Sequence, residues 1–179
     1  GMLSDPRSIP WLDTARHRVV SIFLPGLPML VQRLTRPDPH LVLALLAAVP
    51  VWLGLLVWAG PWMRVPQGAW AWCSLLLVQP CLEEWVFRGL LQGEALRLTT
   101  WRGRPARLGP VTWANALVTL AFVALHLLTT PVAWALAVAA PSLVLGHLRE
   151  RFNSVWPAVW VHAMYNMGFG VTAWLHRAV

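Results

Sequence analysis

Lysine is missing from this sequence: all 14 of its Lys-or-Arg residues are arginine. Acidic residues are scarce too, at seven, and charged residues make up only 12% of the chain. A soluble domain carries about a quarter, so this chain has too little charge to cover a water-facing surface. Hydrophobic residues reach 58%, and lipid is the solvent toward which such a surface can turn. Cysteine is nearly absent, which excludes a disulfide framework. Cys73 and Cys81 lie in apolar sequence and read as small core residues, not as a disulfide or a metal pair. There is no internal repeat, low-complexity tract or linker, and the polar, proline-bearing start does not read as a cleavable signal sequence. One membrane domain is the simplest organisation for 179 residues. The net charge of +7 could suggest nucleic acid. The arginines, however, gather between apolar segments, as in cytoplasmic loops, so no nucleic-acid partner is expected.

Five segments are apolar enough and, at about 17–25 residues, long enough to span a bilayer. They are 41–60, 68–91, 111–129, 132–148 and 155–175. A sixth, 19–31 (VVSIFLPGLPMLV), is short and broken by Pro25 and Pro28. It reads as a re-entrant or interfacial piece within an N-terminal segment 1–40. Arg33 and Arg36, then Arg97, Arg102, Arg104 and Arg107, then Arg149 and Arg151 fall on one side of alternating spans, which makes that side the cytoplasm. The other side holds Arg64 and Arg177. Trp58, Trp62, Trp70, Trp72, Trp113, Trp134, Trp156 and Trp174 lie near span ends, where indoles anchor at the membrane interface. The expected fold is all-α: a polytopic transmembrane helical bundle of about five to six segments, its site in a cytoplasm-facing cavity.

A charge inside a span costs at least about 2.5–3.5 kcal/mol, so each one needs a reason. The second segment contains Glu83, Glu84 and Arg88. Glu84 and Arg88 are four apart on one helical face and can pair. Glu83 is rotated by about 100° and lacks that partner, which leaves it for proton transfer. Pro80, just before it, is expected to open backbone groups near the site. The third segment carries His126. The fifth carries His162 and Asn166, four apart on one face. A lone histidine on an apolar helix is usually a satisfied core residue. Polar groups arriving from three segments need one another. Tyr165 and Asn115 are candidate supporting groups. His147 reads as interfacial, and His40 has no evident partner. Gly146, Gly168 and Gly170 suit close helix packing.

These residues allow a direct-water reaction. Glu83 and His126 hold and deprotonate a water as it attacks a carbonyl, while His162 and Asn166 donate to the oxyanion. A zinc version, with two histidines and a glutamate as ligands, stays open, although HExxH is absent. A non-enzymatic immunity or scaffold protein and a proton-relay transporter also stay open. One distance is awkward. On these segment ends Glu83 lies about 12 Å from the cytoplasmic edge and His126 about 22 Å. The third helix is therefore expected to start after 111.

EEWVFR (Glu83 to Arg88), FVALH (Phe122 to His126) and HAMYN (His162 to Asn166) follow one another as EExxxR, FxxxH and HxxxN. In that order, on separate apolar helices, they resemble the CPBP (Abi) family of intramembrane proteases, which includes the type II CAAX prenyl endopeptidases. The resemblance covers about residues 70–175. It implies a glutamate-dependent intramembrane endopeptidase with 41–179 as its transmembrane core. Glu83 and His126 would activate water, His162 and Asn166 would form the oxyanion site, and Glu84 and Arg88 would support them. No cofactor is expected, with zinc as the alternative. The chain has fewer spans before the first motif than a CAAX protease. Its arginine-only, Trp-rich composition points to a GC-rich bacterium and its cytoplasmic (inner) membrane. Prenylated substrates are not expected there. A peptide or membrane-protein tail is, as in a maturation or C-terminal sorting step.

Overall fold

A computed structural model describes residues 38–58 and 63–178. The expected re-entrant piece at 19–31 and Trp62 lie outside the described residues. Contacts divide the chain into Gly1–Arg36 and Pro37–Val179, and everything below concerns the second unit.

Helix α1 (Pro39–Trp58) is apolar all round, with Leu43, Leu46, Val49, Val51 and Leu53 exposed. The next helical run extends over 68–99: α2 (Gly68–Cys73), a π-helical stretch Ser74–Val78, α3 (Gln79–Glu84), a second π-helical stretch Trp85–Leu91, and α4 (Gln92–Thr99). Two β-ribbons follow, β1 (Thr100–Trp101) with β2 (Arg104–Pro105) and β3 (Arg107–Leu108) with β4 (Val111–Thr112). Their two-residue turns take positive φ at Arg102 and Gly103, and at Gly109 before Pro110. Those are the backbone conformations that tight hairpins require. Then come α5 (Trp113–Leu127), α6 (Val132–Ala137), α7 (Ala139–Phe152) and α8 (Trp156–Ala178). The Thr112 side chain caps α5 by accepting from the Asn115 N–H.

Each of the five expected segments has a helix. Among the described residues two are long and apolar enough to cross a membrane, Pro39–Val57 and Val132–Phe152, while Trp113–Leu127 is apolar but shorter. The run 68–99 carries Glu83, Glu84 and Arg88, which lower its hydropathy.

α8 packs against α1 and α7, and α5 against α4 and α7. One core cluster joins Ala44, Leu145, Leu148, Ala158 and Val161; another joins Phe87, Val118 and Phe122. The three glycines do sit at close approaches. A Cβ on Gly146 would lie 1.9 Å from Asn115 Oδ1, on Gly168 1.9 Å from Trp52 Cε2, and on Gly170 2.7 Å from Trp72 Cζ3. The tryptophans differ in their surroundings. Trp70, Trp113 and Trp174 are exposed, but Trp72 packs on Gly170, Trp134 against Phe169 and Trp156 against Trp85.

The awkward depth of Glu83 and His126 has its explanation here. The third helix does start after 111, at Trp113, but by only two residues, whereas the second run continues to Thr99 instead of ending at 91. Measured from those ends, Glu83 lies about 24 Å in and His126 about 20 Å in, at 1.5 Å per residue. The extra turns at 92–99 include Glu94 and Arg97, paired with each other on an exposed face. Their polarity made the helix look finished.

α1 and α7 also meet at their ends. Arg151 pairs with Asp38 at 2.9 Å, and its guanidinium holds the Asp38 carboxyl below the ordinary value of 3.8. His40 and His147, which showed no partners in the sequence, lie 3.1 Å apart.

Candidate active site

Glu84 and Arg88 are fully buried, and Arg88 Nε donates to Glu84 Oε2 at 3.1 Å. The i,i+4 pair is thus present. It is not isolated, because the other Glu84 oxygen accepts from His162 Nδ1 at 2.8 Å. A carboxylate flanked by a guanidinium is an acceptor, so Nδ1 of His162 carries a hydrogen and Nε2 is the nitrogen turned toward Glu83. His162 Nε2 lies 3.9 Å from Glu83 Oε2. Glu83 itself is partly exposed, its side chain at 32%, whereas Glu84 beside it has no exposure. The rotation between adjacent helical residues therefore separates a locked carboxylate from an accessible one.

His126 is fixed in the same sense. Its Nδ1 lies 2.9 Å from the Phe122 carbonyl. A carbonyl only accepts, so Nδ1 is again the protonated nitrogen and Nε2 is left bare. Phe122 ties two of the motifs together: its ring stacks on His126 at 4.4 Å, meets Phe87 edge-on at 4.9 Å, and lies 5.7 Å from the Arg88 guanidinium.

Asn166 also serves the helix that carries Glu83. Its Nδ2 donates to the Leu75 carbonyl at 2.9 Å. Proline 80 explains why. Leu75 lies in the π-helical stretch, where a carbonyl expects an N–H five residues on. That residue is Pro80, which has none. Asn166 supplies the missing donor. The expected opening of the backbone near Pro80 is present as the π-helical stretch Ser74–Val78.

Among the candidate supporting groups, Tyr165 donates to the Ala44 carbonyl at 2.8 Å, tying α8 to α1. Asn115 Nδ2 donates to the Leu143 carbonyl at 2.9 Å. Sequence reasoning passed over Ser142, Thr119, Gln92 and Arg149, all buried. Arg88 Nη2 donates to Ser142 Oγ at 2.8 Å, and Arg149 Nε to the Arg88 carbonyl at 3.2 Å. Gln92 Nε2 donates to Glu150 and to the Gly146 carbonyl, and Thr112 donates to the same Glu150 oxygen. A signal existed: Gln92 follows Arg88 by four and shares its face. Cys73 and Cys81 are free thiols. No group of three His, Cys, Asp or Glu among the described residues is placed to close around a metal.

The model of the type II CAAX prenyl endopeptidase Rce1-like family matches residues 65–168. The chain belongs to this family. The match takes in EEWVFR, FVALH and HAMYN, so all the motif residues that converge on Glu83 and Glu84 lie inside it. Family membership supports a CAAX-type intramembrane protease, a hydrolase of peptide bonds. No curated protein and no solved structure matches the chain.

Proposed function

We propose that this protein is a glutamic-type intramembrane endopeptidase that hydrolyses a peptide bond with a directly activated water. The supporting observation is that both imidazoles commit Nδ1, His126 to Phe122 and His162 to Glu84, which turns both Nε2 atoms to other partners, that of His162 lying 3.9 Å from Glu83 Oε2. Water binds between Glu83 and His126. Its oxygen bonds the scissile carbonyl carbon as Glu83 takes its proton. The proton passes to the amide nitrogen as the C–N bond breaks, leaving a carboxylic acid and an amine.

The oxyanion falls to His162 and Asn166. Because Nδ1 of His162 faces Glu84, Nε2 can donate only in the imidazolium form, and Glu84 supplies the counter-charge that this cation needs. Asn166 uses one N–H on Leu75 and has a second to offer. Arg88 holds the Glu84 carboxylate in place through its Nε–H. A zinc ion held by Glu83, His126 and His162 is the weaker second reading, because no three such groups among the described residues are placed to close around a metal.

The site belongs to a bundle of five to six membrane segments in a bacterial cytoplasmic membrane, with its cavity open to the cytoplasm. The substrate is a peptide or membrane-protein tail. The deciding experiment co-expresses the chain with peptides and membrane proteins encoded beside its gene and looks for cleavage. Wild type cuts; Glu83→Ala and His126→Ala do not. Cutting by both variants would leave a scaffold or transporter role as the better account. Activity abolished by a chelator and restored by zinc would favour the metal reading.

A further inference from the structure

The Arg88 guanidinium is held by few groups. Nε reaches Glu84 and Nη2 reaches Ser142, while Nη1 has no partner among the described residues. The Ser142 bond is therefore one of two that set where the guanidinium lies, and Ser142 has its own constraint. Its Oγ lies 3.0 Å from Thr119 Oγ1, which lies 3.5 Å from Asn115 Oδ1. Asn115 turns its Nδ2 to the Leu143 carbonyl, so its oxygen faces Thr119. An amide oxygen only accepts. The Thr119 hydrogen thus points to Asn115, and the Ser142 hydrogen points to Thr119. A lone pair on Ser142 is left facing Arg88. Both hydroxyl hydrogens along this path point away from the guanidinium, and on its other side Glu84 accepts from Arg88 Nε and from His162 Nδ1.

We propose that Ser142 and Thr119 are positioning residues: their oriented hydroxyls hold Arg88, and through it Glu84, so that His162 keeps its hydrogen on Nδ1. This rests on the role given to His162 above. Simple helix-to-helix bonding by the same hydroxyls would stabilise the bundle without affecting the imidazole. The two roles are separated by reading the tautomer of His162 directly, in full-length protein labelled with 15N-histidine in nanodiscs. His162→Gln assigns the signal.

Wild type shows the Nδ1–H form. In Ser142→Ala the Nε2–H form rises about fivefold, the change that loss of one ordinary hydrogen bond brings. Ser142→Thr, which retains a hydroxyl, restores the wild-type ratio. Thr119→Val moves the ratio the same way by less, and gives the reading if Ser142→Ala does not fold. A tautomer that stays put in Ser142→Ala and Thr119→Val but moves in Glu84→Gln overturns the positioning role alone. One that stays put in Glu84→Gln as well overturns the role of Glu84 toward His162, and the positioning with it.

Discussion

The seam between α1 and α8 and the seam between α5 and α7 both close over a glycine, yet they hold different things. At Gly168 the neighbour is the Trp52 indole, and at Gly146 it is the Asn115 amide. The first seam is mostly apolar, with Ala44 and Ala48 buried and one polar tie from Tyr165 to the Ala44 carbonyl. The second carries Asn115, Thr119 and Ser142, and leads to Arg88, Glu84 and His162. In lipid there is no hydrophobic gain in bringing helices together, so close packing and interhelical hydrogen bonds must do it. The α1–α8 seam relies on packing. The α5–α7 seam relies on hydrogen bonds, and these also aim the site.

The largest effect should come from the residues to which the polar seam leads. Glu83→Gln and His126→Ala should each lower the cleavage rate about 10²–10⁴-fold, the usual contribution of a positioned acid or base. Thermal unfolding should hardly move. A loss of folding in step with activity would make these residues structural and erase the contrast.

The two glycines test the seams against each other. Gly146→Ala and Gly168→Ala both force an added methyl into an occupied place and should cost about 1–3 kcal/mol of stability each. Only Gly146→Ala should slow cleavage beyond what its stability explains, because only there is the displaced group tied to Arg88. Equal loss of activity in both would show that the seams are not functionally distinct.

Tyr165→Phe removes the polar tie seen in the apolar seam among the described residues. It should cost about 0.6 kcal/mol, and no more than about 1.7, the range for hydrogen bonds between membrane helices. Denaturant unfolding in micelles checks this, with cleavage unchanged.

The smallest effect lies at the helix ends. Arg151 lowers the folded-state pKa of Asp38, so the pair's contribution is present above the ordinary value of 3.8 and is lost as pH falls through the lower folded value. For so exposed a pair solvent screening keeps this contribution small. Asp38→Asn should remove that part of the acid dependence of the melting temperature and nothing else.

Features repeated along one helix were legible in the sequence. Glu84 and Arg88 are four apart and pair; His162 and Asn166 are four apart and share a face; Pro80 opens the backbone. Helix ends were harder to read. Glu94 and Arg97 looked like a loop because an exposed last turn and a loop have the same polarity. The β-ribbons of 100–112 were hidden in an arginine-rich stretch. Tryptophans read as anchors proved to be divided between packing and exposure, since a large aromatic side chain suits either.

What the sequence by itself determined was the apolar segments, the three motifs and the split of the glutamates, because each follows from spacing within a single helix. Only the tertiary structure decided that Glu84 faces His162, that Asn166 serves Leu75, and that Ser142 and Thr119 stand behind Arg88. Those contacts join residues 23 to 91 positions apart. They depend on how far one helix slides and turns against the next, and no periodicity within either helix records that.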